Sequence, residues 1–166
     1  MSGFKKAFML VAVLGLAACS NTSWDDTGAG PTGGAALGGS NLDPASPAYF
    51  QQTIGDRVLF LVDQSNLNPG AEAILQKQAG WLTANPDYVV TIQGHADEQG
   101  TREYNLALGA RRANSAREYL ISQGISGTRI QVVSFGKERP LEICSAESCY
   151  AKNRRAVTVL AGGLTG

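Results

Sequence analysis

The sequence predicts an α+β domain, a β-α-β-α-β-β sandwich in which a small four-stranded mixed sheet carries two main helices on one face. Three observations predict it. Four short apolar runs of strand length occur at 57–62, 88–93, 130–135 and 154–160. Two longer stretches with apolar residues at helical spacing separate the first three runs. Two such crossovers bring the first three strands in parallel with a right-handed hand, which puts both helices on the same face. The fourth run follows a loop and is expected to pair antiparallel.

Ser46-Pro47 reads as an N-cap followed by proline at the first helical position, with Tyr49, Phe50 and Ile54 packing inward. RVLFLV at 57–62 is a nearly continuous apolar strand, broken by Asp63-Gln64-Ser65-Asn66. Pro69 starts a helix to about Asn85, with Ala73, Ile74, Gln78, Trp81 and Leu82 on one side. Asn85-Pro86-Asp87 stops it. YVVTIQ at 88–93 is the second strand, and Gly94 and Gly100 bracket the polar turn after it. The next helix begins near Thr101 and ends before Gly124, with Leu106, Ala110, Ala113 and Leu120 as its core stripe. On that phase Arg112 lies about 120° from Leu106 and flanks the core. IQVVSF at 130–135 is the third strand, 136–153 a loop, and RRAVTVL at 154–160 the fourth strand.

The chain has 166 residues, enough for one domain with extra segments, and its formal net charge of zero gives no reason to expect a nucleic-acid partner. The N-terminus reads as a processing signal. Lys5 and Lys6 precede an uncharged apolar run, Phe8 to Ala18, too short for a membrane span. Leu16-Ala17-Ala18-Cys19 resembles the lipobox of bacterial lipoproteins. That resemblance implies cleavage of residues 1–18, acylation of Cys19, and, with Ser20 next, sorting to the outer membrane. Two or more acyl chains make a stable anchor. Residues 19–45, rich in Gly, Ser, Thr and Asn, read as a lipidated flexible linker. Residues 46–162 form the domain and 163–166 a loose tail. Trp24 is the one aromatic residue of the linker and has no assigned role.

GHADEQGTREYNLALGARRANSAREYL, from Gly94, together with KNRRAVTV, from Lys152, resembles the OmpA-like peptidoglycan-binding domain family over roughly residues 48–160. The resemblance implies an OmpA-like sandwich and a non-catalytic, non-covalent grip on peptidoglycan. It assigns Asp97 to the ammonium and Arg112 to the carboxylate of diaminopimelate in the stem peptide. It also places Asp63 in the same groove. Asn105 shares a helical stripe with Arg112 and could add a hydrogen bond. The residue types suit these roles, because ionised Asp only accepts and Arg meets a carboxylate with two parallel N–H bonds. One geometric condition applies. Thr101 to Arg112 spans about 16 Å of helix, so the 95–100 turn must fold back over it. For lipid-anchored members the resemblance implies partners in TolB and other Tol–Pal components, attachment to the outer membrane, a domain facing the periplasm, and a role in outer-membrane invagination during division. No cofactor is expected.

Taken alone, without the resemblance, Asp97 reads first as a turn residue at a positive helix end, and Arg112 as a solvated surface arginine. Arg154 and Arg155 read as either surface charges or ligand groups. His95, the single histidine, reads as a turn-positioning residue, since its neighbours neither converge for zinc nor stand beside a nucleophile elbow. Cys144 and Cys149 read as a structural disulfide in an oxidising compartment, with free thiols the alternative. Two rival functions stay open: a periplasmic cell-wall hydrolase working through His95, Asp97 and Glu98, and a lipoprotein that binds only protein.

Overall fold

The computed structural model describes residues 42–161. The signal segment, Cys19, Trp24, most of the linker and the tail lie outside them. Helix α1, Pro47–Tyr49, is capped by the Ser46 side chain and continues as a π-helical stretch, Phe50–Gly55. Strand β1 is Arg57–Leu59, helix α2 Pro69–Ala84, strand β2 Val89–His95 and helix α3 Arg102–Ser122. Strand β3 is Ile130–Gly136, helix α4 Glu147–Asn153 and strand β4 Arg155–Ala161.

The sheet runs β1-β4-β2-β3. β2 and β3 pair in parallel, and β4 runs antiparallel to both β1 and β2. The last strand in the chain is therefore central: it separates β1 from β2, two strands that point the same way. Val58, Val90, Ile92 and Ala156 pack with Leu75 and Leu82 of α2 and Ala113, Ala116 and Leu120 of α3 in one core.

Helix starts follow their caps. Asn68 accepts from the Ala71 N–H and Thr101 from the Tyr104 N–H, each leaving one fewer donor orphaned at the helix end. Arg129 closes the other end of α2, donating to the carbonyls of Leu82, Asn85 and Tyr88 at 2.8–3.1 Å. Gln78 is buried but paired: Nε2 donates to the Gly55 carbonyl at 2.7 Å and Oε1 accepts from Thr158 at 2.8 Å. Residues at the end of the linker are docked rather than loose. Pro44 O accepts from Trp81 Nε1 at 2.7 Å and Ala45 O from the Tyr88 hydroxyl at 3.1 Å.

Several sequence expectations need correction. Strand β1 stops at Leu59, and Leu61 and Val62 are exposed, so the apolar run outlasts its strand. In α2 the buried set is Ala71, Leu75, Gln78, Ala79, Trp81 and Leu82, while Ala73 is exposed. In α3 the buried stripe is Asn105, Leu108, Gly109, Arg112, Ala113, Ala116 and Leu120, and Leu106 is 48% exposed. The loop 136–153 contains α4. Gly94 lies within β2 rather than at the mouth of a turn. A Cβ there would sit 1.8 Å from the Gly109 carbonyl oxygen, so this glycine pair, more than the alanines, sets the spacing of α3 from the sheet.

Candidate functional site

The parallel pair β2–β3 ends where the 96–101 turn begins, and that turn folds back over the first turns of α3. Asn105, buried in α3, holds it there, Nδ2 donating to the Gln99 carbonyl at 2.7 Å. Beyond β1 the chain crosses the same end of α3. A cavity of about 230 Å³ lies between these segments, lined by Val62, Asp63, Asp97, Gln99, Gly100, Tyr104, Asn105 and Leu108. A larger cavity, about 490 Å³ and beside Trp81, has Lys77 as the one charged residue of its lining and offers no charge pair.

Three of the four residues singled out from sequence, Asp63, Asp97 and Asn105, thus line one cavity. Asp97 is 8% exposed. Its Oδ1 accepts from the Gln99 N–H at 3.2 Å and its Oδ2 from Arg154 Nη1 at 3.1 Å. Asp63 is exposed and adopts φ 55°, the left-handed region that costs a non-glycine residue. The Tyr104 hydroxyl donates to its carboxylate, which raises the phenol pKa above its ordinary value.

Arg112 is placed differently from the expectation that it flanks the core. It is fully buried, at 0% exposure, behind the cavity lining. Each guanidinium nitrogen donates to a backbone carbonyl: Nε to Gln64 at 2.8 Å, Nη1 to His95 at 2.9 Å and Nη2 to Leu61 at 3.1 Å. It therefore clips the segment after β1 to the end of β2. The face of Phe60 lies 5.4 Å from it. Burial pushes its pKa down to about 10; Asp97 works against burial, Arg154 adds to it, and Asp63 opposes it more weakly. The group stays charged at neutral pH. Two of its five N–H bonds are uncommitted.

Arg154 is the site residue that sequence reasoning leaves undecided. It is buried, 4% exposed, and neither a surface charge nor a strand terminus facing water. It ties Asp97 to Glu147, and its Nε donates to the Phe60 carbonyl at 3.2 Å. Burial opposes its charge, but Glu147 and Asp97 outweigh that and hold its pKa above the ordinary value. Its position at the head of an apolar strand is the available signal: a charge there either faces water or is paired.

Arg155 is also buried and caps the Asn153 and Arg139 carbonyls, with no acid partner among the described residues. His95 ends β2 instead of shaping a turn. It is 2% exposed, stacks near Phe135 with centroids 5.5 Å apart, and neither ring nitrogen has a partner of normal hydrogen-bond geometry. Burial, then the charge of Arg155, lowers its pKa to about 4, with a smaller opposing pull from the Arg139 backbone. Among the described residues no cluster of His, Cys, Asp and Glu could hold a metal ion. Cys144 and Cys149 are bridged, with Cα atoms 6.0 Å apart. No helix among the described residues is long and apolar enough to cross a membrane.

Residues 59–154 match the model of the OmpA family. The chain is 48% identical over 154 residues to the peptidoglycan-associated lipoprotein of Rhizobium meliloti, covering 93% of this chain and 84% of that one. It is 35% identical over 158 residues to the protein of the same name from Haemophilus influenzae, covering 95% and 98%. Among solved structures, the peptidoglycan-associated lipoprotein of Burkholderia pseudomallei superposes with a TM-score of 0.66 at 36% identity, covering 72% of this chain and all 100% of that one. The C-terminal domain of Helicobacter pylori MotB reaches a TM-score of 0.61 at 17% identity, over 66% and 86%, which is a likeness of fold alone. Motif, sheet order and relatives agree: the chain belongs to the OmpA family, within its group of peptidoglycan-associated lipoproteins.

Proposed function

We propose that this protein is an outer-membrane lipoprotein, anchored through Cys19, whose domain faces the periplasm and grips peptidoglycan without a covalent bond. By family it is a structural protein and not an enzyme. Its ligand is the diaminopimelate of the stem peptide. Within the cell it works with TolB and other Tol–Pal components to draw the outer membrane inward at division and to keep the envelope intact.

One observation carries the reading: two carboxylates, Asp63 and Asp97, line one small cavity, and buried Arg112, outside that lining, bonds the backbone on either side of Asp63 and just ahead of Asp97 and feels the charge of both. An acidic lining with a buried cation beneath it suits a ligand end that bears both an ammonium and a carboxylate. Asp97 and Asp63 receive the ammonium. The ligand carboxylate is drawn by Arg112 through the two N–H bonds it has free, and Asn105, already holding the turn, has its amide oxygen left to accept. Because Arg112 lies behind the lining, this grip requires the 61–64 segment to shift. Asp63, held at a costly backbone angle within that segment, marks the place where it would give.

The test is co-sedimentation of the full chain with purified sacculi containing diaminopimelate, against sacculi with lysine in that position. Binding to the first and weak binding to the second is expected. Equal binding to both removes diaminopimelate as the determinant. Soluble fragments released from either would indicate a hydrolase, and no binding to either a protein-only partner.

A further inference from the structure

The disulfide lies far along the chain from Asp97, yet the residues it encloses reach the Asp97 turn. Of the four residues between Cys144 and Cys149, Ser145 and Glu147 each make a polar contact with that turn or with its support. Ser145 Oγ donates to Glu98 Oε1 at 2.9 Å, and the hydroxyl of Tyr150, next to the ring, donates to the same oxygen at 2.8 Å. Glu147 pairs with Arg154, whose Nη1 holds Asp97 at 3.1 Å. Thus both neighbouring acids of the turn, 97 and 98, are fixed from the Cys144–Cys149 segment.

That segment has little to hold its own shape. Helix α4 is seven residues long, and Ala146 at its N-cap supplies no side-chain hydrogen bond. A helix so short is unstable alone, and an alanine cap makes it weaker. Cys149 is buried in α4 and Cys144 is exposed in the bend before it, so the bridge closes the first turn where a capping side chain would otherwise do so. Asn153 anchors the other side, its Oδ1 accepting from the N–H groups of Leu141 and Glu142.

We propose that the Cys144–Cys149 bridge is a positioning device for the ligand site: it replaces the missing cap of α4 and thereby holds Ser145 and Glu147 where they fix Glu98, Arg154 and, through Arg154, Asp97. This rests on the function proposed above. The bridge touches no ligand; it acts through the turn.

The experiment measures affinity of the full chain for a soluble diaminopimelate-containing stem tripeptide, alongside amide NMR shifts of residues 96–100. The variants are Cys144→Ser with Cys149→Ser, Glu147→Gln with the bridge intact, and Ser148→Ala as a control in the ring that makes no such contact. The first two should each bind roughly three- to tenfold more weakly, the size of about one net hydrogen bond, with shifts displaced at 96–100. Ser148→Ala should match the wild type. If wild type binds and the first two variants bind equally well, the inference is wrong. The same holds if affinity falls while the 96–100 shifts stay in place. If wild type itself does not bind, the proposed function fails first. Should the cysteine variant not fold, wild type followed through graded reduction of the bridge tests the same point: unmoved 96–100 shifts and unchanged affinity on full reduction overturn the inference.

Discussion

Arg154 and Asp97 form a buried ion pair, with Nη1 3.1 Å from Oδ2 and side chains 4% and 10% exposed. A carboxylate that lines the cavity is thus held by a base just before the last strand. Removing one partner of such a pair strands the other in a medium that solvates it poorly. Arg154→Met should therefore lower unfolding free energy by about 3–5 kcal/mol. It should also weaken sacculus binding. Urea titration and co-sedimentation read the two effects separately; a variant as stable as wild type would show that Asp97 does not depend on this arginine.

Arg112→Ala should act first on the fold. The substitution leaves the carbonyls of Leu61, Gln64 and His95 without their donors and opens a void at a fully buried position. A loss of about 3–5 kcal/mol or complete failure to fold is expected. Lost sacculus binding in this variant is therefore evidence about the ligand only where circular dichroism shows a native fold.

Asp63→Gly separates fold from ligand. Glycine adopts φ 55° without strain, which offsets the loss of the exposed hydrogen bond from Tyr104, so the substitution should leave stability within about 1 kcal/mol of wild type. The lost carboxylate should weaken binding several-fold. A melting curve and a sedimentation series on one preparation test both halves.

His95 gives a pH dependence with a definite sign. Its folded pKa, about 4, lies below the ordinary histidine value of 6.5. The unfolded chain therefore binds the proton more readily, and acid favours unfolding. The stability from this group is complete above pH 6.5 and falls on the way to pH 4, by on the order of 3 kcal/mol. Glu98 and Glu147, both held below the usual carboxylate range by hydrogen bonds from Tyr150 and Ser145 and from Arg154, add a slope of the same sign at lower pH. His95→Phe breaks no side-chain hydrogen bond, so it should be tolerated at pH 7 and should flatten the pH 4–6.5 part of a urea-midpoint curve.

The four strands and the two long helices are legible because each has a local signature, β-branched runs and capped periodic stretches. The dense polar motif marks Asp97 and Asn105, which do line one cavity, while Asp63 is placed there by family resemblance and not by a local signal. The register of α3 is not. Leu106 has the look of a core anchor, and the phase set on it turns Arg112 outward. The real stripe passes through Asn105, Gly109, Arg112 and Ala116, and it admits an arginine because three carbonyls from other segments wait there. No local period can report those carbonyls. The buried Arg154 is hidden for the same reason, its two acids lying at positions 97 and 147. Helix α4 has no side-chain cap, so the usual start signal is missing.

Strand β4 fills the gap between β1 and β2 with the final residues of the domain, 155–161. A ribosome therefore releases nearly the entire domain before its sheet has a middle. Until that segment and Arg154 just before it emerge, β1 has no neighbour to zip against and Asp97 lacks its arginine. A truncation before residue 154 removes the central strand and the partner of Asp97 together, and should yield not a smaller domain but none.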